Sequence, residues 1–132
     1  MTTESMLHDI PGGKAVVEWF GRAPRFHDAN LLELTFSGKG AGLLRIHAWN
    51  MTDKVDSEGY FVLEKHATIT LALEGVSSIE CANFDMVPGI ILALEITKPG
   101  EHFRIEWSAS YGANGLVTAR QVQIGLTPGK PD

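Results

Sequence analysis

A chain of 132 residues that is 44% hydrophobic and 20% charged has the composition of an ordinary globular domain, and the length to bury one core without disulfides or metals. Its net charge of −5, with 11 lysines and arginines scattered singly apart from Arg22 and Arg25, disfavours nucleic acid as a partner, because phosphate backbones demand clustered cations. The one cysteine, Cys81, excludes an internal disulfide and a multi-cysteine zinc site, fits a reducing compartment, and reads as a small buried apolar residue.

Residues 1–12 carry acids, a histidine and no lysine or arginine, with no apolar run of signal-peptide length, so they read as an N-terminal arm of a cytoplasmic protein. After the Pro11-Gly12-Gly13 loop, Val16, Val17 and Phe20 share one helical stripe beside Trp19, and Gly21 and Pro24 supply C-terminal punctuation. A two-turn helix over residues 14–20 follows, too short to persist unless it docks.

From Asp28 the period changes from helical to alternating. Leu32, Leu34 and Phe36 point one way, a glycine-rich turn at residues 37–42 intervenes, and Leu44, Ile46 and Ala48 return, which predicts a hairpin. A phosphate-binding role for Gly38, Gly40 and Gly42 is set aside, since strands flank the turn on both sides. Residues 50–59 read as a polar loop whose acids lack calcium-loop spacing. Ile69, Leu71 and Leu73 alternate in the next strand, residues 76–84 form a mixed one, and Pro88-Gly89 precedes Ile90, Leu92, Leu94 and Ile96. That apolar run is far short of the roughly 20 residues of a membrane-spanning helix. Phe103, Ile105 and Trp107 alternate next, and residues 116–126 close the fold ahead of a tail at 127–132.

About seven strands and one short helix predict an α+β, β-rich single domain over residues 1–132, its mostly antiparallel strands forming a sandwich or a curled sheet. Residues 67–96 contain Glu74, Glu80, Asp85 and Glu95 and no lysine or arginine, so they are expected to present a negative face suited to a basic protein. Trp49 and Tyr60, beside the polar loop, are the interface aromatics, whereas Trp107 belongs to the core. His27 and Asp28 invite an acid–base or metal reading with His47, His66 or His102, although a structural role at the mouth of the first strand fits better, Asp28 bonding backbone amides and His27 a carbonyl. No serine or cysteine shows a nucleophile motif.

The segment Glu18-Trp19-Phe20-Gly21-Arg22-Ala23-Pro24-Arg25-Phe26-His27-Asp28-Ala29 resembles the opening signature of the Immunity protein 50 family, small bacterial proteins proposed to neutralise toxins. The likeness extends loosely through His66, Asn83-Phe84, residues 90–96 and Gly112. It implies a domain that acts by binding and blocking, without a cofactor, with Trp19, Phe20, Gly21, Pro24, Phe26, His27 and Asp28 as its structural motif. The leading expectation is therefore a non-enzymatic protein that neutralises a toxin by direct binding. The alternatives are a small-ligand domain with an apolar pocket and a metal-assisted enzyme using His27 and Asp28. The oligomeric state is not legible.

Overall fold

A computed structural model describes residues 3–24 and 26–131. Two short helices, α1 (Thr3–Asp9) and α2 (Gly13–Phe20), precede eight strands: β1 (Asn30–Ser37), β2 (Ala41–Val55), β3 (Phe61–Glu74), β4 (Ser78–Ala82), β5 (Gly89–Thr97), β6 (Phe103–Tyr111), β7 (Asn114–Ala119) and β8 (Gln121–Pro128). The expected α+β, β-rich architecture is present as one antiparallel sheet in the order β4-β7-β6-β5-β1-β2-β3-β8.

The connections explain why the sheet curls. Residues 75–77 link β3 to β4, and Arg120 alone links β7 to β8, yet each connection joins strands from opposite halves of the sheet order. Such short links require the two four-stranded halves to face one another. Backbone bonds lock this corner: Val76 N–H donates to Gly40 O at 3.0 Å, Ser77 N–H to Thr118 O at 3.0 Å, and Arg120 N–H to Glu74 O at 3.0 Å. Gly75, at φ 65, makes the turn. The halves meet at a narrow seam, where Asn30 pairs with Ile90 and Leu31 with Gly89.

Alternation then sorts side chains to an inner and an outer face. Leu44, Ile46, Ile69, Leu71, Ile91, Ile96, Ile105 and Val117 all point inward and are under 2% exposed. Leu7 and Ile10, in and just after α1, and Val16 and Phe20 of α2 join the same cluster. Fully burying each such aliphatic side chain contributes about 1.5–3 kcal/mol. The helices are too short to stand alone, so this docking is what holds them.

Several expectations need correction. Residues 3–9 are a helix packed into the core and no free arm, because Met6, Leu7 and Ile10 find a buried surface that the sequence could not display. Residues 50–55 continue β2 instead of forming a loop, since β3 is there to pair with them. The mixed strand shortens to Ser78–Ala82, exposed throughout, and β8 runs into the supposed tail as far as Pro128. Cys81 lies on β4 and is exposed, not buried, while partial desolvation raises its thiol pKa. Trp107 is in the core, as expected, at 3% exposure. Arg25, together with residues 1, 2 and 132 of the arm and tail, lies outside the described residues.

Candidate functional site

The inner face is lined by the apolar core, so among the described residues the polar side chains of the strands lie on the two outer faces of the curled sheet. On the β4-β7-β6-β5 half, strand register places Glu95 opposite Glu106, Glu106 opposite Leu116, and Leu116 opposite Glu80. Partners in register project from the same face, so three carboxylates from three strands form one cross-strand row. They line an open trough of about 720 Å³ with Ala93, Ser108 and Leu116. Directly opposed like charges cost an antiparallel pair roughly 0.2–1 kcal/mol. Arg104 offers partial relief, its Nη2 lying 3.8 Å from Glu106 Oε2, but both groups are well exposed and the pair is weak.

Only part of the expected acidic surface is realised. Glu80 and Glu95 share this row, whereas Glu74 borders a separate hollow with Phe103 and Gln121, and Asp85 sits in the short turn Phe84–Met86. Glu106 escaped notice because it alternates with Arg104 beyond the cation-free stretch. Its signal was its place on the polar side of the Phe103-Ile105-Trp107 alternation, and only pairing with β5 made it a neighbour of Glu95.

The β1-β2-β3-β8 half is different in kind. A bulge between Ala48 and Asn50 in the β2/β3 register gathers His47, Trp49 and His66. The His47 and His66 rings stack at 5.1 Å between centroids, with His47 Nε2 3.0 Å from His66 Nδ1, one nitrogen donating and the other accepting. Trp49 lies 4.8 Å from the His47 ring and 5.9 Å from that of His66. It is thus a half-buried wall of the histidine pair, while Tyr60 is exposed at the far end of the β2–β3 hairpin. The two aromatics do not form one patch. Exposed Met51, Val55, Phe61 and Leu63 share the outer part of the hairpin with Tyr60.

Burial is the first cause that lowers the pKa of His47, followed by the charge of His66 and then Lys130; His66 is lowered by burial and then Lys130. Both imidazoles are consequently neutral near pH 7. Because their folded-state pKa values fall below the unfolded value of 6.5, the unfolded chain binds more protons in acid. Stability is therefore retained above pH 6.5 and lost as pH falls through the lowered folded-state values. Urea denaturation at a series of pH values is expected to show this loss, and the double variant His47→Gln/His66→Gln to flatten it; an equally steep acid loss in the double variant would refute the assignment.

The motif segment forms the joint between α2 and β1. Phe20 and Phe26 are buried, Gly21 ends the helix at φ 78, and Asn50 Nδ2 donates to Phe20 O at 2.9 Å. Trp19 Nε1 donates to Lys65 O at 3.1 Å, with the Lys65 ammonium 4.5 Å above its ring. His27 and Asp28 lie in a turn. His27 Nδ1–H donates to Leu92 O at 3.0 Å, the carbonyl bond expected of it, and Nε2 is 3.6 Å from Asp28 Oδ2. Asp28 is tied to β5 by its amide, which donates to Ile91 O at 2.8 Å, and not by its carboxylate as the sequence suggested. Among the described residues no three histidine, cysteine or carboxylate side chains come together as metal ligands, so His27 and Asp28 have no third donor there. A small groove of about 240 Å³, lined by Arg22, Pro24, His27, Trp49 and Met51, borders the segment. Among those residues too, no helix is long and apolar enough to cross a membrane.

No protein-family model matches this chain, and comparison with curated proteins and with solved structures yields no match. The resemblance of residues 18–29 accordingly rests on those residues themselves.

Proposed function

We propose that this chain is a non-catalytic binding protein of the immunity type, meeting a basic toxin domain with the acidic outer face of the β4-β7-β6-β5 half. The observation that carries the reading is the Glu95–Glu106–Leu116–Glu80 row. A sheet that sets two glutamates directly opposite one another loses stability in isolation, and a cationic partner reverses that loss on docking. The same carboxylates speed encounter with a positively charged surface, and Leu116 and Ala93 provide apolar contact among them. The motif of residues 19–28 supports the face indirectly, by fixing the path from α2 into the seam that joins the halves.

The test is the triple variant Glu80→Gln/Glu95→Gln/Glu106→Gln. It is expected to unfold at higher denaturant, a gain of roughly 0.5–1 kcal/mol, because the opposed charges are gone. Its association rate with the product of an adjoining toxin gene is expected to drop about tenfold at low salt and to lose most of its salt dependence. An unchanged rate with an unchanged salt response sinks the acidic-face reading. Gene neighbours that include no toxin sink the immunity part.

A further inference from the structure

The hollow on the other outer face has the chemistry of an anion site. Arg45, Thr68, Thr70, Thr127 and Lys130 line a space of about 440 Å³ across β2, β3 and the end of β8. Register makes this a grid: His47 stands opposite Thr68 and Thr68 opposite Thr127, while Arg45 stands opposite Thr70 and Thr70 opposite Gly125. The missing side chain at Gly125 leaves one square of the grid open, since a Cβ there would meet only Thr70 at 3.7 Å. Three hydroxyls and two cations thus converge on a concave surface, with the histidine pair on its rim.

We propose that this grid binds a phosphate-type tetrahedral oxyanion, held by the Lys130 ammonium and the hydroxyls of Thr68, Thr70 and Thr127. A tetrahedral anion presents acceptors in several directions, which matches donors arriving from β3, from β8 and from the segment beyond it better than a planar carboxylate does. Arg45 adds to the field. Its Nη1 is 3.3 Å from Glu33 Oε1, and since a guanidinium has five N–H donors, this one bond leaves others to face the anion.

The histidine pair gives the site a pH response. The charged group that acts on both imidazoles is Lys130 beyond β8, and the Trp49 ring walls them; Arg45, two residues from His47 on β2, is paired with Glu33 of β1. Lys65 of β3 is directed elsewhere, onto Trp19. Lys130 opposes protonation of both imidazoles, so an anion on Lys130 favours their charged forms, and by linkage their protonation strengthens anion binding.

The site lies on the half of the sheet away from the acidic row and does not depend on the reading given to that row. Its test uses the full chain in an NMR titration of backbone amides and imidazoles, with sodium sulfate, inorganic phosphate, glycerol phosphate and acetate as probes. Sulfate keeps its double charge across the histidine range, so its pH dependence reports on the protein. Saturable shifts centred on Thr68, Thr127, Lys130, His47 and His66 are expected with sulfate and phosphate, with about tenfold weaker binding in Lys130→Ala and in Thr68→Val. Sulfate binding is expected to strengthen several-fold as pH falls below 6.5 and the pair takes up protons, and to be flat above it. Core amides that stay in place in both variants exclude misfolding. Glycerol phosphate binding as well as phosphate identifies a monoester site, and phosphate alone a site for the free ion, either of which supports the proposal. Shifts scattered over the surface without saturation, equal response to acetate, or affinity untouched by both substitutions would overturn it.

Discussion

Trp107→Ala is expected to destabilise the protein by about 3–5 kcal/mol, the range for removing a buried aromatic side chain from a core. The Trp107 ring is 3% exposed and lies against Gly115, where any β-carbon would collide with it. Its Nε1–H donates to Ala113 O at 3.0 Å, closing the turn between β6 and β7. Truncation therefore leaves a cavity and deprives a carbonyl of its partner in one step. Trp107→Phe retains most of the packing and loses only the hydrogen bond, so its cost should be about 1–3 kcal/mol. Urea unfolding followed by far-ultraviolet circular dichroism checks the order of the two variants; a Trp107→Ala protein within about 1 kcal/mol of the parent would contradict it. The residue also floors the acidic trough, so a loosened β6–β7 corner is expected to disturb the spacing of Glu106, Leu116 and Glu80.

Gly13→Ala is expected to cost about 3 kcal/mol, the upper end for overpacking, because the obstacle is backbone. An added β-carbon at Gly13 would overlap the carbonyl of Leu7, and at neighbouring Gly12 it would overlap that of Ile124. This reversal between α1 and α2 is held by Gly13 N–H donating to Ile10 O at 2.8 Å and by Ile124 N–H donating to Pro11 O at 2.8 Å. No flexible side chain is there to move aside. Gly38→Ala is the control, since nothing lies within 4 Å of its added atom, and it should change stability by less than about 0.5 kcal/mol. Equal midpoints for the two variants would show that the helical pair is not seated this tightly.

Local pattern was enough for the elements whose burial is one-sided. The alternation of Ile69, Leu71 and Leu73, the Phe103-Ile105-Trp107 run and the α2 stripe ending at Gly21 each follow from a period of two or of 3.6 set against a single apolar surface. The β1–β2 hairpin was legible too, but a bulge between Leu31 and Glu33 breaks the expected Leu32-Leu34-Phe36 face and buries Leu31 with Leu34. The acidity of Glu80 and Glu95 was legible in charge composition, and the joint before β1 in the Gly21 and Pro24 punctuation and in the resemblance of residues 18–29.

What required the tertiary structure was the register across the sheet and the pairing of strands distant in sequence. Pairing of β5 with β6 brought Glu106 to Glu95, and the β2/β3 bulge set His47 against His66, 19 residues away. Grid neighbours such as Thr68 and Thr127 are separated by most of the chain's second half. Helix α1 and the far end of β2 escaped the sequence reading because their stability is supplied by a docking surface or a partner strand, not by their own periodicity. Sequence determines which face of a strand is apolar, since that depends only on side-chain alternation. Which strands become neighbours depends on loop lengths, bulges and the closing of one curled core, and those contacts exist only once the whole chain has folded.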